Sequence, residues 1–135
     1  SLNVKLMREN DPGKIKNSYL EIAQKLENAG AGAIIICANT PHLVYDFVQP
    51  KIDVPILHIA DAVAREAKQK SYKKLGLLGT RPTMQGDFLQ GRLRDKHQIE
   101  TLIPADNFID ETHRFISEEL TQGKFTDAAK KFYLS

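Results

Sequence analysis

The sequence has a single cysteine, no tryptophan and no long apolar run, and each shortage argues against a class of protein. One cysteine cannot form an internal disulfide, so we expect a reducing, cytoplasmic setting. No stretch approaches the ~20 apolar residues of a transmembrane helix, so a membrane is not an expected partner. The 19 Lys and Arg residues nearly balance the 17 Asp and Glu residues and form no basic block, so nucleic acid is not an expected partner.

What the sequence does contain is typical of a globular protein. Of its 135 residues, 41% are hydrophobic and 27% are charged, as in soluble domains. The spacing of its histidines matches no metal site. Its glycines form neither a dinucleotide nor a phosphate-loop fingerprint. These patterns therefore predict no metal site and no nucleotide-binding loop. The histidines are His42, His58, His97 and His113.

Short apolar runs alternate with amphipathic segments along the whole chain. This order predicts an α/β fold in which parallel sheets are flanked by helices. The predicted strands cover residues 33–37, 54–59, 75–79 and 99–103. The predicted helices cover residues 15–29, 41–48 and 62–69, then one helix through Met84, Phe88 and Leu93, then residues 108–120 and a last helix that continues to the end of the chain.

Polar and glycine residues mark the expected ends of these helices. Gly30 and Gly123 suit the positions just after a helix, where glycine is favoured. Thr40, Asp61 and Thr126 are predicted N-caps, because a side-chain oxygen there can accept a backbone N–H.

A strand, a polar pair, a proline and a helix follow one another twice, at residues 36–41 and 78–83. Two similar turns that each face a ligand predict two half-domains that meet at a cleft. We place the boundary between residues 72 and 73. Residues 1–72 then belong to a first α/β domain and residues 73–135 to a second.

The first of these turns carries the cysteine. Cys37 ends the buried run that starts at Ala33, and Asn39, Thr40 and Pro41 follow it. Ligands of open α/β sheets bind at such strand ends, and a helix N-terminus favours a thiolate. The amide and the hydroxyl can bind a carboxylate. The alternative interpretations are a core cysteine and ordinary turn formation by its neighbours.

The second turn offers Thr80, Arg81 and Thr83. The Arg81 guanidinium is a candidate partner for an anion, although exposed arginines are common. His42, one turn beyond Cys37, is a further candidate that could face a pocket, with a capping role as its alternative. Cys37 and His42 alone do not define a nucleophile and its base, because no third orienting group is identifiable.

These motifs resemble the aspartate/glutamate racemase family, and most closely its broad-specificity amino-acid racemase branch. The first catalytic cysteine of that family lies in a similar Cys-x-Asn-Thr pattern. The similar segments extend over nearly the whole chain and comprise residues 37–42, 55–62, 77–84, 87–93 and 118–125.

The resemblance implies two flavodoxin-like half-domains with an active site between them, no cofactor, and a free amino acid as substrate. Members of this family are often homodimers. Two cysteines on opposite faces of the substrate exchange its α-proton. In this chain Cys37 matches the first, Asn39 and Thr40 match the carboxylate-binding residues, and Thr80 and Thr83 match hydroxyls from the second domain.

The second cysteine of the family lies in a Gly-Cys-Thr-Glu segment, and the family opens with a glycine-rich strand. Neither occurs in these 135 residues. We therefore expect a fragment of a longer racemase, inactive by itself. The alternatives are a one-cysteine relative that decarboxylates or cis–trans isomerises small dicarboxylates, and a non-catalytic α/β domain that binds a small molecule.

Overall fold

The computed structural model describes residues 11–134. They fall into two compact units, with the division between Ala62 and Val63. Each unit contains a two-stranded parallel sheet accompanied by helices. The predicted fold class, parallel sheets flanked by helices, is confirmed. The predicted domain boundary between residues 72 and 73 stays a prediction.

Helix α1, Pro12–Asn28, opens the described part of the first unit. It begins earlier than predicted because Asp11 Oδ1 accepts the N–H groups of Gly13 and Lys14 and Pro12 occupies the first helical position. At its end, Gly30 has a φ of 91° and its N–H bonds the Glu27 carbonyl at 2.9 Å. The predicted role of Gly30 is confirmed, since this left-handed residue closes the helix.

Strands β1, Ile34–Ile35, and β2, Ile56–Leu57, pair in parallel, with Ile34 opposite Ile56 and Ile35 opposite Leu57. Both strands are shorter than predicted. A run of apolar residues indicates that a segment is buried, but it does not determine how many of its residues pair with a neighbouring strand. Ile34 and Ile56 are buried, whereas Ile35 and Leu57 are 66% and 57% exposed. The buried core on the inner face comprises Ala23, Ile34, Val44, Val48, Ile52 and Ile56.

The segment after β1 starts with a 3₁₀ turn, Thr40–Val44, followed by the short helix α2, Tyr45–Val48, and a second 3₁₀ turn, Gln49–Lys51. The prediction of Thr40 as N-cap is wrong. Asn39 occupies that position, and its backbone is already helical (φ −72°, ψ −55°), so Thr40 lies inside the first turn.

Helix α3, Ile59–Gln69, begins earlier than predicted. Asp61 therefore lies in its first turn, and the prediction that Asp61 is the N-cap is wrong. His58 precedes the helix instead, and its Nδ1 accepts the N–H of Ala60 at 3.1 Å. An imidazole nitrogen thus satisfies one of the backbone donors that every helix start leaves open.

In the second unit, strands β3, Lys74–Gly76, and β4, Glu100–Leu102, pair in parallel. The single helix predicted through Met84 and Leu93 is wrong. Helix α4, Arg81–Gln85, and helix α5, Asp87–His97, are separated at Gly86, whose backbone is extended (φ −74°, ψ 143°). A Cβ atom at Gly86 would collide with the Pro82 carbonyl oxygen and the Phe88 ring, so only glycine fits this break.

The predicted helix over residues 108–120 has three parts, which are helix α6, Asp106–Arg114, a π turn, Phe115–Glu119, and a 3₁₀ turn, Leu120–Gln122. Gly123, with a φ of 72°, ends it as predicted. The predicted cap at Thr126 is also confirmed, since its Oγ1 accepts the Ala129 N–H at the start of helix α7, Asp127–Leu134. Across residues 11–134, no helix is both long and apolar enough to cross a bilayer.

Candidate functional site

Cys37 lies two residues beyond β1 and is exposed. It contributes to the wall of a concave region of about 500 Å³ within the first unit. The alternative of a core cysteine is therefore wrong. The other lining residues come from α1, from strands β1 and β2 and from the segment after β1, and include Tyr19, Ile22, Leu26, Ile34, Asn39 and Thr40.

Two polar residues that follow Cys37 share this concavity. Asn39 is exposed and Thr40 is half-buried. The Asn39 side chain does not cap the 3₁₀ turn. We call residues Cys37–Asn39 the thiol loop. It brings a thiol and an amide together beside an apolar wall.

Tyr19 adds a phenol to that wall. Partial burial raises its pKa above the ordinary value for tyrosine, because removal from water disfavours the phenolate. Tyr19 therefore stays a neutral hydrogen-bonding group at physiological pH.

His42 is 2% exposed, so it does not line an open pocket from the surface. Its Nδ1 lies 2.8 Å from the Ala38 carbonyl oxygen and 3.1 Å from that of Asn39. Its Nε2 accepts the Ile59 N–H at 3.2 Å. Both ring nitrogens are engaged by backbone groups, so this geometry does not support His42 as the base that deprotonates Cys37.

The second turn lies in the second unit and holds the two predicted hydroxyls. Thr83 is 2% exposed, and its Oγ1 lies 3.2 Å from that of Thr80. The N–H groups of Thr83 and Met84 both bond the Thr80 carbonyl at 3.0 Å. Because these backbone donors are engaged, recognition of an anion at this turn would depend on side chains.

Arg81 is held from helix α6. Its N–H donates to Nδ1 of His113 at 3.1 Å, and its guanidinium forms an ion pair with Asp110. The side chains of this pair are 47% and 68% exposed, so the pair is weak. Sequence reasoning missed Asp110 and His113, because no local pattern links them to a residue about 30 positions earlier.

The predicted site residues thus form two groups, each described within its own unit. Cys37, Asn39 and Thr40 belong to the first unit, and Thr80 and Thr83 to the second. That both groups face one substrate stays a prediction. Within residues 11–134, no cluster of three or more His, Cys, Asp or Glu side chains could hold a metal ion.

Comparison with known proteins gives a consistent result. The family model described as Asp/Glu/Hydantoin racemase matches residues 7–135. The broad specificity amino-acid racemase RacX of Bacillus subtilis (strain 168) is 34% identical over 88 residues, which cover 65% of this chain and 38% of that protein.

Two solved structures are similar over most of the chain. A putative Asp/Glu racemase from Yersinia pestis is 39% identical with a TM-score of 0.88, over 96% of this chain and 56% of that one. An aspartate racemase homologue from Pyrococcus horikoshii OT3 is 42% identical with a TM-score of 0.73, over 86% and 52%. The chain therefore spans about half the length of these structures.

Proposed function

This chain belongs to the Asp/Glu/hydantoin racemase family, and from that membership we propose that its complete polypeptide is a cofactor-independent amino-acid racemase. The observation that carries the proposal is the exposed Cys37 thiol at the carboxyl end of β1, beside Asn39 and Thr40. Ligands of open α/β sheets bind at such strand ends.

In the proposed reaction, the Cys37 thiolate takes the α-proton of a free amino acid. The electron pair of the broken C–H bond stays on the substrate and delocalises into its carboxylate. A second thiol, outside these 135 residues, returns a proton to the opposite face of the α-carbon. A reversible inversion needs two such groups of similar acidity, one on each face.

Substrate binding is assigned to polar groups of both turns. Asn39 and Thr40 are proposed to bind the substrate carboxylate, with Thr80 and Thr83 contributing hydroxyls from the second half-domain. Arg81 is a candidate partner for an acidic side chain. Its ion pair with Asp110 is exposed, so an incoming carboxylate could replace Asp110 at little energetic expense.

The setting of the reaction is part of the proposal. A cysteine that takes and returns a proton as a thiolate and thiol must stay reduced, which favours the cytoplasm. We propose that the protein forms a homodimer and that its substrate is a small free amino acid. Nucleic acid and membrane surfaces have no role in this proposal.

The test is Cys37→Ser in the complete polypeptide, with Ala33→Ser as a matched control that adds the same hydroxyl before β1. Single enantiomers are incubated in deuterium oxide and followed by chiral chromatography and loss of the α-proton NMR signal. Because a serine hydroxyl is a far weaker acid than a thiol, Cys37→Ser should reduce racemisation by at least about 100-fold. Ala33→Ser should match the parent protein.

Each contrary outcome has a definite meaning. A Cys37→Ser variant as fast as the parent removes Cys37 from the mechanism. Carbon dioxide release or cis–trans conversion of a dicarboxylate, without inversion of any amino acid, favours the one-cysteine alternative. Amino-acid binding without either reaction favours a binding domain.

A further inference from the structure

We propose that His42 is a positioning residue whose buried ring holds the thiol loop in place by donating a hydrogen bond to its backbone carbonyls. This inference rests on the proposed function of Cys37. In this role, the buried imidazole fixes the position of the Cys37 thiol and does not transfer a proton.

The hydrogen bonds of His42 define its chemical form. The carbonyl oxygens of Ala38 and Asn39 can only accept, so Nδ1, 2.8 Å and 3.1 Å from them, carries the hydrogen. The backbone nitrogen of Ile59 can only donate, so Nε2 at 3.2 Å carries none. A neutral imidazole in a single tautomer satisfies both requirements.

The ring is also fixed by its packing. His42 is 2% exposed and His58 is 4% exposed. Their ring centroids lie 4.7 Å apart in an edge arrangement, and the Tyr45 ring packs against His58 at 4.9 Å. Water cannot readily replace a hydrogen bond lost from such a buried group. The buried ring of His42 therefore presents its Nδ1 donor to the thiol loop at a fixed position.

The consequence concerns the reacting sulfur. Ala38 is the next residue after Cys37, so a bond to its carbonyl restrains the 38–39 peptide, which begins one residue beyond the Cα atom that carries the thiol. A displacement of about 1 Å at a reacting group can reduce a rate by about 100-fold. Loss of the restraint should therefore lower kcat, with a smaller effect on KM.

Three substitutions separate the two ends of the ring. Asn places an amide near the Nδ1 position, so His42→Asn keeps a donor for the thiol loop. Gln places its amide near the Nε2 position, so His42→Gln keeps an acceptor for Ile59. His42→Phe keeps neither. In the complete polypeptide, kcat should fall by about 100-fold for Phe and Gln, and Asn should restore most of the loss.

Ile52→Ala is the control for stability alone. Ile52 is buried in the core of the same unit and does not line the concavity beside Cys37. This variant should lower the melting temperature while keeping kcat. The proposal is overturned if kcat follows the melting temperature across all four variants, if Gln restores kcat better than Asn, or if His42→Phe keeps the parent kcat.

A measurement without turnover separates this inference from the proposed racemase activity. The reaction of Cys37 with an aromatic disulfide reagent is followed in the same variants. A changed rate in His42→Phe and His42→Gln, with a parent-like rate in His42→Asn, supports the restraint even if no amino acid is racemised. Equal rates in all variants overturn it even if the racemase activity is confirmed.

Discussion

Replacement of Gly79 by alanine should destabilise the protein through the buried side chain of Thr83. A Cβ atom at Gly79 would lie 3.0 Å from Cγ2 and 3.1 Å from Cβ of Thr83, closer than ordinary van der Waals contact allows. Thr83 has little room to withdraw, because it is 2% exposed and its hydroxyl lies 3.2 Å from that of Thr80.

Two opposing terms set the magnitude. Overpacking of a buried site costs about 1–3 kcal/mol. A Gly→Ala change at a compatible backbone conformation stabilises by about 0.4–1 kcal/mol, because the unfolded chain loses freedom. Gly79 has no positive φ, so the second term applies. The free energy of unfolding should therefore fall by about 1 kcal/mol.

Urea unfolding of the complete polypeptide, followed by circular dichroism, measures this difference. Gly76→Ala is the matched control in the same segment, because no heavy atom lies within 4 Å of its new Cβ. It should be as stable as the parent or more so. Adding Thr83→Ser to Gly79→Ala removes the methyl group, which is the nearer of the two contacts, keeps the hydroxyl and should restore part of the lost stability. The packing argument is refuted if Gly79→Ala is as stable as the parent, or if the added Thr83→Ser restores nothing.

Three further outcomes are expected. Residues 1–135 alone should invert no amino acid, since they contain one thiol; sustained inversion in chiral chromatography would contradict the two-thiol mechanism. Burial raises the pKa of Tyr19, so its phenol ionises at a lower pH in the unfolded protein than in the folded protein. The contribution of Tyr19 to the free energy of unfolding is therefore fully present below about pH 10 and should be lost as the pH rises through the pKa of the folded state. Tyr19→Phe should weaken that decline in urea titrations between about pH 8 and 11, and an unchanged pH profile would refute it. Asp110→Asn should lower the free energy of unfolding by less than about 1 kcal/mol in thermal unfolding, because the ion pair of Asp110 with Arg81 is exposed. A larger loss would show that the pair is stronger than its exposure indicates.

The ends of several helices could be predicted because local chemistry decides them. Gly30 and Gly123 adopt left-handed backbone conformations, with φ values of 91° and 72°, which glycine accepts without strain. Thr126 caps its helix through a residue three positions later. The position of Cys37 after a strand followed from an equally local pattern of apolar residues.

Features that depend on distant partners could not be predicted in this way. Asp61 is a good N-cap by type, yet His58 precedes the helix and supplies the acceptor. The break at Gly86 depends on its approach to Pro82 and Phe88. The bond from His42 to Ile59 joins residues 17 positions apart. Hydrophobic periodicity contains no information about such pairings.

In the thiol loop, the side chain proposed to bind substrate and the backbone that holds the loop in place are separate groups, so the side chain can be varied by itself. Asn39 is exposed and its side chain does not cap the turn, whereas the backbone beside it is restrained through the buried His42. Substitutions at position 39 can therefore change the proposed contact with the substrate carboxylate and leave the backbone bonds to His42 in place. A combinatorial library at this position, with His42 held constant, should remain largely folded while its members differ in their affinity for the amino acid.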